Sequence, residues 1–263
     1  MALADELLGL ACATALEAGQ LLRAKAGTVR EVVETKSSPT DMVTEVDRAS
    51  EALIVARILA ARPDDAILGE EGAAREGSSG VRWVIDPLDG TTNYLYGFPA
   101  YAVSIAAEVS DAPLAGVVYD AVHDELYSAV RGRGAVCNGR VMEVSDTPTL
   151  ASALTGTGFG YDPQRRLRQV HLLESVIGHV RDIRRAGSAA LDLCSVARGR
   201  LDAYFEWGLQ PWDMAAGRLI AEEAGGRTAI IAQYDGAPLL VAANRALFDG
   251  FCDLIRANAV ALA

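Results

Sequence analysis

Asp86 and Asp89 stand three positions apart at the end of the apolar run Trp83-Val84-Ile85, with Pro87 between them and a Gly90-Thr91-Thr92-Asn93 turn immediately after. Carboxylates hold hard cations through oxygen, and a turn that enters a helix offers backbone N–H groups to phosphate. Either acid alone reads as a turn residue, because Asp-Pro and Asp-Gly both favour turns. The pair is different, since two carboxylates held together repel unless a cation or a proton comes between them. Pro87 fixes the backbone and can aim the Leu88 carbonyl inward as a further oxygen ligand. Mg²⁺ takes a few such carboxylates together with waters and phosphate oxygens.

Three more acidic motifs lie at element boundaries. Gly69-Glu70-Glu71-Gly72 follows the short apolar strand Ala66-Ile67-Leu68, so Glu70 reaches the mouth of Asp86 if the two strands are neighbours. Asp47 follows Thr44 at a capping-box spacing, and still has a carboxylate to accept a proton or orient a water. Asp213 near the start of an apolar helix is an N-cap candidate that can also face a metal. Each has a structural reading by itself, whereas four together suggest a multi-cation site between two halves of the chain. Lys36 is either a solvated loop residue or an added positive charge. Gly187-Ser188-Ala189-Ala190 either packs closely or presents N–H groups to a substrate hydroxyl. There is no Walker loop and no Gly-x-Ser-x-Gly elbow, and His123, His171 and His179 have no zinc-type spacing.

The elements that must position these groups are legible in outline. Helices are expected over residues 2–26, 44–61, 163–177, 188–197, 212–224 and 246–259. Strands are expected over 29–35, 66–68, 82–85, 102–109, 114–119, 125–130, 151–155, 181–184, 201–207 and 239–242, with residues 119–125 closing a hairpin. Residues 36–41 and 73–80 read as loops, the second of them mobile. The pattern is that of a layered α+β or α/β protein with two joined halves.

The chain has 263 residues, 51% hydrophobic and 22% charged, and a net charge of −11. That balance describes a globular protein and argues against broad nucleic-acid or anionic-membrane binding. Cys12, Cys137, Cys194 and Cys252 are scattered, which favours free thiols in a reducing cytoplasm. Asp5 and Glu6 do not fit a signal peptide, and no apolar run is long enough to span a bilayer.

Taken together, the residues from Lys36 to Asp47, Gly69-Glu70-Glu71, the stretch from Asp86 to Asn93, and Trp212-Asp213-Met214-Ala215-Ala216-Gly217 resemble the inositol monophosphatase family of Mg²⁺-dependent, lithium-sensitive phosphatases. The resemblance spans nearly the whole chain. It implies an α+β fold, a layered α-β-α-β-α sandwich of the inositol monophosphatase and fructose-1,6-bisphosphatase type. The fold would be one domain, residues 1–263, with an N-terminal α+β lobe to about residue 150 and a C-terminal α/β lobe from about residue 151. It also implies two or three Mg²⁺ ions. Glu70, Asp86 and the Leu88 carbonyl would hold the first, and Asp86, Asp89 and Asp213 the second, with Glu70 helping a third. Asp47 and Thr91, with Glu70, would be catalytic, and Gly90, Thr91 and Thr92 would contact phosphate. Glu206 and the segment Gly187, Ser188, Ala189 and Ala190 would meet the substrate's hydroxyls. The implied mechanism is direct in-line hydrolysis by water without a covalent phosphoenzyme, in a cytoplasmic homodimer.

The resemblance favours inositol 1-phosphate, because Thr92-Asn93-Tyr94 stands where histidinol-phosphatase relatives carry an Arg-Ser-Phe type of continuation, and because Glu206 suits a polyol. Histidinol phosphatase or another small phosphomonoesterase or bisphosphatase is the alternative. A protein-binding role in transcription or ribosome assembly is an alternative of another class, and a structural metal-binding protein a third. Residues 156–166 and 210–211 depart from the better-known animal enzymes and are expected to border the substrate pocket.

Overall fold

The computed structural model describes residues 2–27, 34–35, 42–43 and 45–259. The chain begins with helix α1 (Ala2–Lys25), the ribbon strands β1 (Glu34–Thr35) and β2 (Met42–Val43), and helix α2 (Glu45–Ala61). Strands β3 (Ala66–Gly69), β4 (Ala74–Arg75) and β5 (Val81–Asp89) lead into the short helix α3 (Thr91–Tyr96). Five strands follow: β6 (Ala102–Val109), β7 (Ala112–Asp120), β8 (Glu125–Val130), β9 (Ala135–Cys137) and β10 (Arg140–Val141). The remainder alternates β11 (Leu154–Thr157), α4 (Pro163–Ile177), β12 (Asp182–Arg184), α5 (Ala189–Ala197), β13 (Ala203–Trp207) and α6 (Pro211–Glu223). It closes with the antiparallel pair β14 (Arg227–Tyr234) and β15 (Ala237–Ala243) and helix α7 (Phe248–Asn258).

An eight-stranded sheet runs in the order β10-β9-β8-β7-β6-β5-β3-β4, and a five-stranded sheet in the order β12-β11-β13-β15-β14. Each sheet is apolar on both faces, and each face is covered by helices. Leu7, Ala11, Ala18 and Leu22 on α1 and Ile54 and Ile58 on α2 pack on Trp83, Ile85 and Ile105 of the larger sheet. Its other face buries Val84, Ala106 and Val118 against Ala190 and Cys194 of α5 and Ala216 and Ile220 of α6. On their far side, Leu193 and Val196 of α5 pack on Tyr204 and Leu240 of the smaller sheet. Leu172 and Val176 of α4 and Phe251 and Ile255 of α7 cover that sheet's last face. The result is the expected five-layer α-β-α-β-α sandwich, with α5 and α6 as its central layer.

Several strands differ from expectation. Residues 73–80 are not a free loop: they carry β4, and the Ser78 and Ser79 amides donate to the Asp64 carbonyl. Strands β9, β10 and β14 were not expected. The first two are three and two residues long, and β14 is an irregular, largely half-exposed edge strand with no clean alternation. The Ala151–Ser152 part of the expected β11 is a 3₁₀ turn.

The α1 contact is close enough to predict an effect. Alanine at Gly19 should favour the helix by ~1 kcal/mol through propensity alone. A Cβ there would lie 2.3 Å from the Tyr119 ring. That ring cannot easily withdraw, because its hydroxyl bonds Asp124 at 2.5 Å and the Arg23 guanidinium lies 5.5 Å from its centroid. Overpacking of this kind costs ~1–3 kcal/mol. Gly19→Ala is therefore expected to lower the urea midpoint, and a variant as stable as the parent would contradict the packing.

A partly exposed ion cluster around Glu125 gives a pH-dependent prediction. Burial pushes the Glu125 carboxyl up, but hydrogen bonds from Arg200, Tyr127 and Arg198 outweigh it and hold the group down to about 2. A carboxyl lowered on folding stabilises above its unfolded value of roughly 4.3, and that contribution fades as pH falls through the folded value. Glu125→Gln should melt earlier than the parent at neutral pH. The gap should shrink between about pH 5 and 2, as read by thermal melts across that range.

Candidate active site

A regular strand sends residues three apart to opposite faces. Strand β5 escapes this by a bulge: Asp86 pairs with Ser104 and Asp89 with Ala102, so three residues on β5 span two on β6. The extra residue, at Pro87-Leu88, turns Asp86 and Asp89 to the same face, which is that of Val84 and Ala102 and fronts the central helix layer. Proline is tolerated at such a bulge because it has no N–H to donate. The Leu88 amide donates to Asp86 Oδ1 at 3.0 Å, and Ser50 of α2 donates to the Pro87 carbonyl at 2.9 Å, so the bulge is held from both sides.

The other acids arrive from three directions. Strand β3 is parallel to β5 with Gly69 opposite Ile85, and the Glu70 amide bonds the Ile85 carbonyl at 3.1 Å, which sets Glu70 beside Asp86. The turn carrying Glu70 is held by Glu51, whose carboxylate accepts from the Glu71 and Ala73 amides at 2.9 and 3.0 Å. Asp213 is the third residue of α6, not its N-cap; Gln210 takes the cap position, and its amide donates to Asp213 Oδ2 at 2.6 Å. Asp89 meets the start of α5, where Oδ2 accepts from the Ser188 hydroxyl at 2.6 Å and the Ala190 amide at 2.7 Å. The helix dipole favours an anion at that end.

Asp47, buried in the first turn of α2, accepts from Thr91 Oγ1 at 2.9 Å, and the same hydroxyl lies 3.2 Å from the Leu88 carbonyl. Gly90 precedes α3 with φ +95°, and a Cβ there would stand 2.8 Å from the Ala100 carbonyl, so a side chain is excluded on both counts. Asn93 donates to the Ala100 and Ala186 carbonyls at 2.7 and 2.8 Å, tying α3 to the loop before α5.

These groups open into a cavity of about 540 Å³. Glu70, Asp86, Leu88, Asp89 and Asp213 line it together with Gly90, Thr91, Gly187 and Ala189. Glu206 and residues 158–162 form more of the wall, as does Gln210, so the two segments expected to border the pocket do so. Ser188 is not on the lining: its hydroxyl is fully buried and engaged by Asp89, which leaves the backbone of Gly187 and Ala189 to face the cavity. Thr92 is half-buried and also off the lining. Lys36 and Thr44 lie outside the described residues, and with them the proposed Thr44–Asp47 capping box. Sequence reasoning passed over Glu51, Ser50, Arg165 and Arg185, none of which stands in a motif of its own.

The electrostatics bear on a metal. Burial, and then the charges of Glu70, Asp89 and Asp213, push the Asp86 carboxyl well above its ordinary value. Burial and the charges of Asp89 and Glu70 do the same to Asp213. Burial also raises Asp89, although the Ser188 and Ala190 hydrogen bonds limit the rise to about 6. Among the described residues no three acidic, histidine or cysteine side chains already close on one point. The carboxylates are nevertheless within electrostatic reach of one another, and divalent cations would relieve their repulsion. An all-oxygen, open donor set suits Mg²⁺, which keeps waters and substrate oxygens in its shell. On the same cavity wall, burial pushes the Glu206 carboxyl up to about 7, against the hydrogen bond from Tyr204 and the charge of Arg185.

Residues 3–256 match the family model described as the inositol monophosphatase family. The chain is 50% identical over 229 residues to the inositol-1-monophosphatase SuhB of Mycobacterium tuberculosis, covering 83% of this chain and 79% of that protein. It is 45% identical over 226 residues to the Nus factor SuhB of Pseudomonas aeruginosa, covering 84% and 83% of the two chains. The crystal structure of the extragenic suppressor protein suhB from Bartonella henselae superposes with a TM-score of 0.89 at 36% identity, over 95% of this chain and 98% of that one.

Proposed function

The chain belongs to the inositol monophosphatase family, and from that premise we propose that it is a Mg²⁺-dependent phosphoric monoester hydrolase that converts inositol 1-phosphate to myo-inositol and phosphate. The β5 bulge carries the reading, because it turns Asp86 and Asp89 together toward Glu70 and Asp213. Glu70, Asp86, the Leu88 carbonyl, Asp89 and Asp213 would hold two or three ions. When bound, Mg²⁺ supplies the positive charge that acidifies water and neutralises phosphate oxygens.

The chain's own residues do the rest. Thr91 Oγ1 gives its one hydrogen to Asp47, which frees a lone pair to accept from an attacking water. The water's proton then has a path through Thr91 to the buried Asp47 carboxylate, as general-base catalysis requires. Gly90, Thr91 and Thr92 offer amides to phosphate at the start of α3. Glu206 accepts from the leaving polyol's hydroxyls, and the Gly187 and Ala189 backbone borders them. Lithium sensitivity, a homodimer of two-lobed chains and a cytoplasmic location belong to the same reading. Among the described residues no helix is long and apolar enough to cross a membrane.

The test is a phosphate-release screen with and without Mg²⁺ and Li⁺, setting inositol 1-phosphate against histidinol phosphate and a nucleoside 3′-phosphate. Mg²⁺-dependent release that is fastest on inositol 1-phosphate and suppressed by Li⁺ is expected, and no release from any of them overturns the reading. A second reading rests on the relative named a Nus factor: a protein-binding role in transcription or ribosome assembly beside the catalytic one. A catalytically inactive Asp86→Asn chain that restores a deletion strain would support it, and failure to restore would count against it.

A further inference from the structure

Tyr204 on β13 is fully buried, and its hydroxyl is not used by the chemistry above. Other buried ring donors are spent on the backbone: Tyr94 bonds the Leu22 carbonyl at 2.8 Å and Trp207 the Tyr234 carbonyl at 3.1 Å. Tyr119 and Tyr127 give theirs to Asp124 and Glu125, carboxylates that arginines also hold. Tyr204 instead donates to Glu206 Oε2 at 2.5 Å, and Glu206 lines the cavity. Among the described residues Glu206 accepts no other hydrogen bond and has no basic group at ion-pair distance.

The backbone is shaped around this pair. Residues two apart on a strand share a face, and β13 is fixed between β11 and β15. Tyr204 packs on Leu193 and Val196 of α5. Gly156 of β11 lies opposite Tyr204, and a Cβ there would stand 3.2 Å from the ring's Cδ2. Two residues on, a Cβ at Gly158 would stand 1.9 Å from Glu206 Oε2 and 2.4 Å from Oε1. The two glycines therefore make room for the ring and the carboxylate. Glu206 is seated against bare backbone on one side and held by the tyrosine hydroxyl on the other. An ionised carboxylate only accepts, and the lone pairs that Tyr204 leaves unclaimed suit the hydroxyls of a polyol. An ester of a plain alcohol has no such donors to offer. We propose that Tyr204 is a positioning residue that, by holding Glu206, sets the pocket's preference for phosphate esters of polyols over those of plain alcohols. This rests on the phosphatase reading above and names the residue behind its specificity.

The experiment measures kcat and KM with Mg²⁺ for inositol 1-phosphate and for cyclohexyl phosphate, which has the same carbon ring without the free hydroxyls. The chains compared are the parent, Tyr204→Phe, Glu206→Gln and the double variant. The parent should prefer inositol 1-phosphate, and Tyr204→Phe should reduce that preference about 10-fold or more, chiefly through KM. Glu206→Gln should reduce it likewise, and the double variant no further, because the hydroxyl acts through the carboxylate. Thermal melts establish that each variant is folded. A packing role alone would lower kcat/KM for both esters together; an unchanged preference in folded Tyr204→Phe, or losses that add in the double variant, overturns the proposal. A parent without the preference overturns it too. If Tyr204→Phe does not fold, Glu206→Asp, which withdraws the carboxylate from the tyrosine, should lose the preference, and its retention overturns the proposal. Absence of phosphate release from both esters is a separate result that removes the phosphatase reading as well.

Discussion

Asp86→Asn is expected to lower Mg²⁺-dependent phosphate release by about a thousandfold while raising the melting temperature measured in chelator. The two effects share one cause. Asp86 is buried, and the charges of Glu70, Asp89 and Asp213 surround it. Without cations the folded state must either leave those charges facing one another or take up protons. Asparagine keeps an oxygen for the Leu88 amide, which donates to Asp86 Oδ1 at 3.0 Å, and it carries no charge. A carboxyl raised on folding makes the protein less stable as pH climbs above the unfolded value of about 3.9, because the native state holds the proton more tightly. The variant's advantage should therefore be greatest at neutral pH and vanish near pH 3. Each kcal/mol of relief is worth roughly 2–4 °C in a chain of this size. The parent should gain stability on adding Mg²⁺ and the variant much less. Equal Mg²⁺-induced shifts in the two would contradict the assignment of Asp86 as a ligand.

Thr91→Val should produce the opposite pairing, with lower activity and lower stability. The substitution conserves shape but removes the hydroxyl that donates to Asp47 at 2.9 Å. Loss of a positioned proton acceptor costs ~10²-fold or more in kcat, with KM less affected. Asp47 is almost fully buried, and leaving its carboxylate short of a donor costs roughly 1–3 kcal/mol. Thr91→Ser restores the hydroxyl and should recover most of both losses. If valine retained kcat, the water would not be oriented by Thr91, and a route through another acceptor would be needed.

The layered architecture was legible because the helices carry long periodic apolar stripes and the central strands are buried on both faces; α4 and β6 begin and end at the residues their patterns indicate. Strand β14 was not legible, because a bulge between Ile230 and Ala232 breaks its register and its side chains are largely half-exposed. In the site, residue types and order pointed to the acids, but not to the geometry that unites them. Nothing in the one-dimensional spacing of Asp86 and Asp89 says that they share a face; the bulge decides it, and Pro87 is the only sign of the bulge in the sequence. Ser188 shows the reverse limitation. Its position at the start of α5 suggested a substrate contact, whereas tertiary packing gives its hydroxyl to Asp89. Glu51 holds the Glu70 turn from twenty residues away, a relation that no local pattern records.

The central claim is that the clustered carboxylates of the turn after β3, of β5 and of α6 make catalysis depend on a divalent cation. It is tested most directly by the rate of phosphate release from inositol 1-phosphate at a series of free Mg²⁺ concentrations beginning in excess EDTA. The account predicts no release under chelation and a rate that rises with Mg²⁺ to saturation. A rate in EDTA equal to that in Mg²⁺ would contradict it.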